Sequence, residues 1–203
     1  MKKRIFDLML SAIGLILLSP LFCCVSILIA LDSRGPIFFR QKRMGIGLCP
    51  FFIYKFRTMI ADADLQGPLI TIDGNKRITR VGRILRKTKI DELPQLINVF
   101  KGEMSLVGPR PEVPQYVLLY QKDYEEILQA RPGVTDLASI LFRDEELLLQ
   151  KQDDPETYYT QILLPQKIQR AKDYLKKSSI LYDLKIIFLT FFRIVFPQKM
   201  DVQ

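Results

Sequence analysis

The sequence predicts an α+β fold, mostly helical, with a short β-hairpin and an N-terminal helix embedded in a membrane. Three observations predict it. Leu8 to Leu31 carries no charge over 24 residues. Two short aromatic, β-prone segments, Ile37 to Phe39 and Phe51 to Phe56, flank Gly45-Ile46-Gly47, as strands flank a turn. Much of the rest places apolar residues at helical spacing and is punctuated by Pro and Gly. A chain of 203 residues accommodates one compact domain and an appendage.

The uncharged run would make a helix of ~36 Å at ~1.5 Å per residue, long enough for a bilayer core of ~30 Å. It is too long for a signal peptide, and no small-x-small cleavage site follows. Two features argue against a simple span. Ser19-Pro20 sits in the middle, and an interior proline costs ~3 kcal/mol in a straight helix and commonly kinks it. The serine hydroxyl is placed to satisfy the carbonyl that proline frees. Lys2, Lys3 and Arg4 flank one end, and Arg34, Arg40, Lys42 and Arg43 the other, so the positive-inside rule draws both ends to the cytoplasm. A helix that enters, bends at Ser19-Pro20 and returns meets both constraints. The expected division is a re-entrant anchor over 1–36 and a cytosolic-face domain over 37–203.

Asp32 to Pro36 is the exit turn, and the hairpin follows. Phe38, Phe39, Phe51 and Phe52 fit either a core or the membrane interface. Thr58 to Asp64 is expected as a short helix and Leu65 to Lys76 as a loop. Thr79 is a reasonable N-cap for a basic helix. In that helix Val81, Ile84, Leu85 and Thr88 share one side, and Arg80, Arg83 and Lys87 another. Asp91 is expected as the N-cap or first residue of the next helix, which runs to about Phe100, with Gly102 as terminator. Further helices are expected over Pro114 to Gln129, Asp136 to Gln152 and, in pieces broken at Pro165, Tyr158 to Lys177. The acidic Asp144-Glu145-Glu146 reads as a solvated face. Residues 179–196 carry a stripe of Leu181, Leu184, Ile187, Phe188, Phe191, Phe192 and Val195, interrupted by Lys185 and Arg193. That pattern fits a core helix or, preferably, one lying on the bilayer surface, with Arg193 and Lys199 near headgroups.

A net charge of +8, from 30 Lys+Arg against 22 Asp+Glu, points to nucleic acid, an anionic membrane or phosphate-rich ligands. No zinc-finger or single-strand-binding motif appears, so nucleic acid ranks last. The chain has no histidine, which removes Ser-His and Cys-His nucleophiles and His-ligated metals. Chemistry then rests on carboxylates, hydroxyls, thiols, Lys or Arg, and carboxylates favour a hard metal such as magnesium. Cys23, Cys24 and Cys49 show neither metal nor redox spacing.

The densest signal is Arg83 to Pro111. Asp91-Glu92 stands at a helix start between a cationic helix and the stiff loop Gly108-Pro109-Arg110-Pro111. Two carboxylates there suit a divalent metal and a polyphosphate. Taken singly, the acid also fits a plain helix cap and the cations a solvated surface. The blocks Asp91-Glu92-Leu93-Pro94-Gln95-Leu96, Asn98-Val99 and Met104 to Pro111 resemble the bacterial sugar transferase family, the monotopic phosphoglycosyl transferases. The resemblance extends through Gln41 to Gly45 and Tyr54 to Met59 and covers nearly the whole chain. It also implies the re-entrant anchor.

The resemblance implies transfer of a phosphosugar from a UDP-sugar to undecaprenyl phosphate, giving the undecaprenyl diphosphosugar and UMP. Asp91 would be the covalent nucleophile and Glu92 would hold Mg2+. Arg86, Arg110 and Arg131 match the family's arginines and would contact diphosphate and nucleotide. Pro109 and Pro111 would stiffen the loop. Lys55 and Arg57 stand equally as phosphate contacts or as ordinary cations and ion-pair partners. The implied place is the cytoplasmic face of a bacterial inner membrane, with membrane lipids as partners. Residues 134–143 depart from the family's better-known pattern after Arg131-Pro132-Gly133, which opens the question of which sugar is accepted. The chain is read as the minimal catalytic form. A homodimer stays open. Three other readings stand beside this one: a non-catalytic assembly factor, a basic nucleic-acid-binding module, and a metal-dependent nucleotide-sugar hydrolase.

Overall fold

The computed structural model describes residues 2–61 and 75–196. It is mostly helical. α1 (Lys2–Leu17) and α2 (Ser19–Asp32) are bent by 59° at Leu18. The local chemistry is the one expected of Ser-Pro. Pro20 has no N–H to give Ile16, and Ser19 Oγ donates to the Ile16 carbonyl at 2.8 Å instead. Among the described residues no single helix is long and apolar enough to cross a membrane; the bent pair is, by length and composition only.

α1 is turned inside out relative to a soluble helix. Asp7 and Ser11 are buried, while Met9, Ile13, Ile16 and Leu17 are exposed. Asp7 accepts from Ser105 Oγ at 2.8 Å and from the Leu106 amide at 3.1 Å. Arg4 donates to the carbonyls of Val99 and Phe100, and Lys3 pairs with Asp183. The first turns of α1, whose Lys2, Lys3 and Arg4 were expected as a charged flank of the uncharged run, are thus bolted to the rest of the chain.

β1 (Phe38–Met44) and β2 (Pro50–Phe56) form an antiparallel hairpin in the register Phe38↔Phe56 to Met44↔Pro50. β1 runs further than the aromatic signal suggested, through Arg40 to Arg43, because one edge of the hairpin lines a polar cavity. Gly47 at φ 61° takes the turn. Of the four phenylalanines expected at a core or an interface, Phe39 and Phe51 are half-buried and Phe38 and Phe52 exposed, whereas Phe56 at the end of β2 is fully buried. The expected helix from Thr58 is absent over 58–61: Met59 bridges to Ile78 in antiparallel fashion and Ile60 N–H donates to Arg77 O. Residues 62–64 of that expectation, and 65–74 of the expected loop, lie outside the described residues.

α3 (Arg80–Thr88) is capped by Thr79, whose Oγ1 accepts the Gly82 amide at 3.0 Å. Asp32, at the end of α2, accepts the Val81 amide at 2.9 Å. Val81 and Leu85 face inward, with Phe56 and the α2 residues Val25 and Ile29, while Ile84 is exposed. A Cβ at Gly82 would sit 2.1 Å from the Thr58 carbonyl oxygen, so only glycine lets α3 seat there.

Asp91 is not a helix cap. Lys89 turns the chain in the left-handed region (φ 59°), a single 3-10 turn carries Ile90–Glu92, and α4 (Gln95–Lys101) begins after Pro94. Gly102 at φ 91° ends α4 as expected.

β3 (Ser105–Val107) and β4 (Gly133–Thr135) pair in parallel. Three-residue strands leave no periodicity to read, so the sequence presents them as loop. α5 (Pro114–Leu119) and α6 (Gln121–Ile127) replace one expected helix, broken at Tyr120. α7 (Leu137–Leu141) and α8 (Glu145–Gln150) replace another, with Asp136 capping α7 through the Ser139 amide at 2.6 Å. α9 (Pro155–Tyr158), one π-type turn (Tyr159–Leu163) and α10 (Leu164–Lys177) follow, with Pro165 in the first turn of α10. Tyr124, Ile127, Leu149, Leu163 and Leu164 form the largest core. α11 (Ile180–Val195) is the last helix among the described residues. It buries Asp183 and Ile186 and turns Leu181, Phe188 and Phe191 outward. Lys199 lies outside the described residues.

Candidate active site

A cavity of about 980 Å³ lies among the hairpin, the dyad turn, α7, α8 and α11. Lys55, Arg86, Asp91, Glu92 and Arg110 line it together, although they come from four separate stretches of chain. The 3-10 turn presents both carboxylates, and the two differ sharply.

Asp91 is 7% exposed, and its Oδ1 is buried with no hydrogen-bond partner among the described residues. Burial pushes its carboxyl up to about 6, against the pull of Lys55; Glu92 beside it adds to the rise. Glu92 Oε1 takes Lys55 Nζ and Arg110 Nη2, each at 2.7 Å. Burial opposes its charge, but Arg110 and Lys55 outweigh burial and hold the carboxyl well below its usual range. The Glu92 carboxylate in turn raises Arg110, whereas burial lowers Lys55 despite Glu92. One acid of the pair is therefore fixed as an anion, and its neighbour is a poorly solvated carboxyl with an open oxygen.

Arg86 reaches the cavity from α3. It pairs with Glu146, contacts Thr58 Oγ1 at 3.4 Å, and keeps Nε buried with no hydrogen-bond partner among the described residues. Asp144-Glu145-Glu146 is accordingly not just a solvated face, since Glu146 holds Arg86 and Glu145 holds Lys167 at 2.5 Å.

The remaining expected site residues make the following contacts. Arg57 borders the cavity, but its guanidinium is spent on Ser33 O (2.6 Å), Ser33 Oγ (3.0 Å) and Pro36 O (2.6 Å), which pins the end of α2. Pro109 and Pro111 are buried, and their carbonyls accept from the Gly133 amide (2.9 Å) and Arg43 Nη1 (3.2 Å). Arg131 is not brought to the cavity. It is exposed and donates from Nε to Gly102 O at 2.9 Å. Its motif contributes Gly133 instead: a Cβ there would meet the Gly108 amide nitrogen at 2.1 Å. The two proline motifs thus pack backbone on backbone and set the loop that aims Arg110. Ser19 and Pro20 form the bend, remote from the dyad in the chain.

Sequence reasoning overlooked a second polar chain on the same cavity. Arg43 Nη1 donates to Glu112 at 3.2 Å, Tyr159 OH donates to Glu112 at 2.9 Å, and Lys167 lies over the Tyr159 ring at 4.6 Å. The available signal was Glu112 itself, a charge set among Pro111, Val113 and Pro114.

For a metal the donor set is sparse. Among the described residues no three acidic or cysteine side chains gather around one point. Magnesium needs less than that, since one or two carboxylates plus substrate phosphates suffice. Glu92 Oε2, which takes only a 3.4 Å contact from Arg110, fits such a site.

The family model for bacterial sugar transferases matches residues 1–197. The chain belongs to the bacterial sugar transferase family. It is 41% identical to the undecaprenyl-phosphate glucose phosphotransferase of Komagataeibacter xylinus, over 98% of this chain and 37% of that protein. It is 38% identical to a UDP-N-acetylgalactosamine-undecaprenyl-phosphate N-acetylgalactosaminephosphotransferase of Aeromonas hydrophila, over 93% of this chain and 42% of the relative. A UDP-glucose:undecaprenyl-phosphate glucose-1-phosphate transferase of Caulobacter vibrioides is 40% identical over 94% of this chain and 68% of its own length. The chain thus spans about two fifths of the first two of these curated relatives.

Proposed function

We propose that this chain transfers a sugar 1-phosphate from a UDP-sugar to undecaprenyl phosphate, by way of an aspartyl-phosphosugar. The observation that carries the reading is Asp91, a buried carboxyl with an unpartnered oxygen in a cavity rich in cations. Lys55, Arg86 and Arg110 suit a diphosphate. An Asp91 oxygen attacks the phosphorus that bears the sugar. The bond from that phosphorus to the bridging oxygen breaks, and UMP departs with the bridging oxygen. An oxygen of undecaprenyl phosphate then attacks the same phosphorus and returns Asp91 as a carboxylate. Glu92 would hold Mg2+, which would neutralise phosphate charge. The held anion of Glu92 also keeps Lys55 and Arg110 at the reacting phosphates.

The acceptor is a lipid, and the cavity wall formed by Leu10, Ile187, Phe191 and Ile194 is apolar. The exposed faces of α1, α2 and α11 support seating on a membrane, with the bent α1–α2 pair as a re-entrant anchor and the cavity on the cytoplasmic side.

The test is UMP release by the protein in nanodiscs from a panel of UDP-sugars, with and without undecaprenyl phosphate and magnesium. Release that needs both supports the reading. Release indifferent to the lipid, with free sugar phosphate as product, makes the protein a hydrolase. Intact mass without lipid should show one phosphosugar added, and its absence from Asp91→Asn alone assigns the atom.

A further inference from the structure

The cations of the cavity fall into two groups. Lys55 and Arg110 are engaged by Glu92, and Arg86 by Glu146. Arg143, between α7 and α8, and Arg193, in the last turn of α11, line the same cavity, yet among the described residues neither forms an ion pair. Arg143 Nη1 donates to the main-chain carbonyl of Arg193, which sets one guanidinium on the backbone of the other residue. The Nε of Arg193 is buried with no hydrogen-bond partner among the described residues.

Taken alone, Arg143 caps the last turn of α11 and Arg193 complements that helix end. Those roles do not account for two cations brought together without an acidic partner. Nor do they account for the buried donor, which costs free energy until a ligand or water satisfies it. The neighbouring wall narrows the choice of ligand. Ile187, Phe191 and Ile194 of α11 line the cavity over about 10 Å, at ~1.5 Å per residue, and Leu10 of α1 lines it too. Phe191 is 65% exposed, so this apolar wall runs from the cavity to the outside of the molecule.

Resting on the transfer proposed above, we infer that Arg143 and Arg193 seat the phosphate of undecaprenyl phosphate, with Ile187, Phe191 and Ile194 against the adjoining hydrocarbon. A UDP-sugar is polar along its whole length and has nothing to set against that wall. A phosphate monoester on an isoprenoid presents an anion joined to an apolar chain, and guanidinium forks bind phosphate bidentately. The two substrates then use separate cations: Lys55, Arg86 and Arg110 serve the donor diphosphate, and Arg143 and Arg193 serve the acceptor. A phospholipid headgroup shares the acceptor's chemistry, so the test has to separate the two.

The experiment measures UMP release in neutral detergent micelles at varied undecaprenyl phosphate, with the UDP-sugar that turns over in the panel above. Intact mass gives the rate of lipid-free adduct formation. Arg193→Gln should raise KM for undecaprenyl phosphate by about tenfold or more. Its adduct rate and its KM for the UDP-sugar should move by less than about threefold, since an interaction made only with the acceptor leaves the donor step alone. Arg143→Gln should act in the same direction. Arg193→Lys keeps the charge without the fork, should raise the acceptor KM less, and replaces the glutamine variant if thermal melting shows that one unfolded. An acceptor KM unchanged in the folded variants overturns the inference, as does an adduct rate that falls as far as the lipid-dependent rate. Phosphatidylglycerol at the same mole fraction as undecaprenyl phosphate should leave the wild-type KM unchanged; competition by it would make this a seat for any lipid phosphate and overturns the assignment to the acceptor. If folded wild type gives neither UMP nor adduct with any UDP-sugar, the transferase reading itself fails and this inference falls with it. Normal transfer with an unmoved acceptor KM sinks this inference alone.

Discussion

Replacing Asp91 by asparagine should make the protein inactive and more stable in the same stroke. Burial has raised this carboxyl from an ordinary 3.8 to about 6. Keeping it ionised at pH 7 therefore costs about 3 kcal/mol, at ~1.36 kcal/mol for each tenfold change in proton affinity. The direction follows from proton binding. Between pH 4 and 6 the folded protein holds this proton and the unfolded chain does not, so the stability it contributes is complete below about pH 4 and is lost as pH rises through about 6. Asparagine stays neutral throughout and escapes that loss. The gain is an upper bound, since the new amide nitrogen needs an acceptor. At ~2–4 °C per kcal/mol for a chain of this size, it corresponds to a rise in Tm of up to about 6–12 °C at pH 7.5. The gap should close toward pH 4.5. Thermal melts in nanodiscs at both pH values, beside UMP release, measure it. A variant that melts below wild type at pH 7.5, or a gap independent of pH, refutes the buried, strained carboxylate. Retained turnover refutes the nucleophile. The wild-type kcat/KM should also rise with pH through about 6, as Asp91 ionises.

Glu92→Gln leaves Lys55 and Arg110 without their shared anion and should cost about 3 kcal/mol, the lower end for a broken buried pair because Arg110 is partly exposed. Glu92 stabilises the fold above its ordinary carboxyl range and loses that as pH falls below it, so the deficit should shrink in acid melts. The same variant should need more magnesium for turnover, and an unchanged titration removes Glu92 from the metal. Gly82→Ala drives a methyl into the Thr58 carbonyl and should cost about 3 kcal/mol, read as a large drop in Tm. Pro20→Ala restores the N–H that Ile16 lacks and should let α1 and α2 join end to end. Cys49 is exposed at the hairpin turn, beyond the proposed anchor. In wild-type spheroplasts it should resist an impermeant thiol reagent, whereas part of the Pro20→Ala population should become labelled. Labelling of wild-type Cys49 from outside contradicts a re-entrant anchor.

The features legible in the sequence were those with local causes. Ser19-Pro20 announces the bend because proline lacks a donor and serine supplies one. Thr79 and Gly102 announce the limits of their helices through side-chain and left-handed capping. The convergence of Lys55, Asp91, Glu92 and Arg110 followed from motif resemblance, not from periodicity. What stayed hidden depends on distant partners. Asp91 looked like a cap because an acid before Pro94 usually is one, yet Lys89 spends a left-handed residue to make a separate turn. Motif resemblance offered Arg131 as a phosphate ligand and left Arg57 open between phosphate contact and ordinary cation, because a guanidinium advertises charge and not direction. Asp7 and Glu112 drew no attention, since their partners lie 98 and 47 residues away.

The polar contacts of α1 bear on how such a protein can be made. Lys3, Arg4 and Asp7 bond to Asp183, to the last carbonyls of α4 and to β3, while the same helix offers bare hydrocarbon on its other side. Ribosomal synthesis delivers that helix before these partners, with Asp183 arriving 180 residues after Lys3. Until then its polar side chains lack those partners. If the bent pair is the re-entrant anchor proposed above, insertion and folding become successive acts of one process. Deleting the first two turns of α1 would therefore remove a wall of the fold, leaving the Leu106 amide without its acceptor.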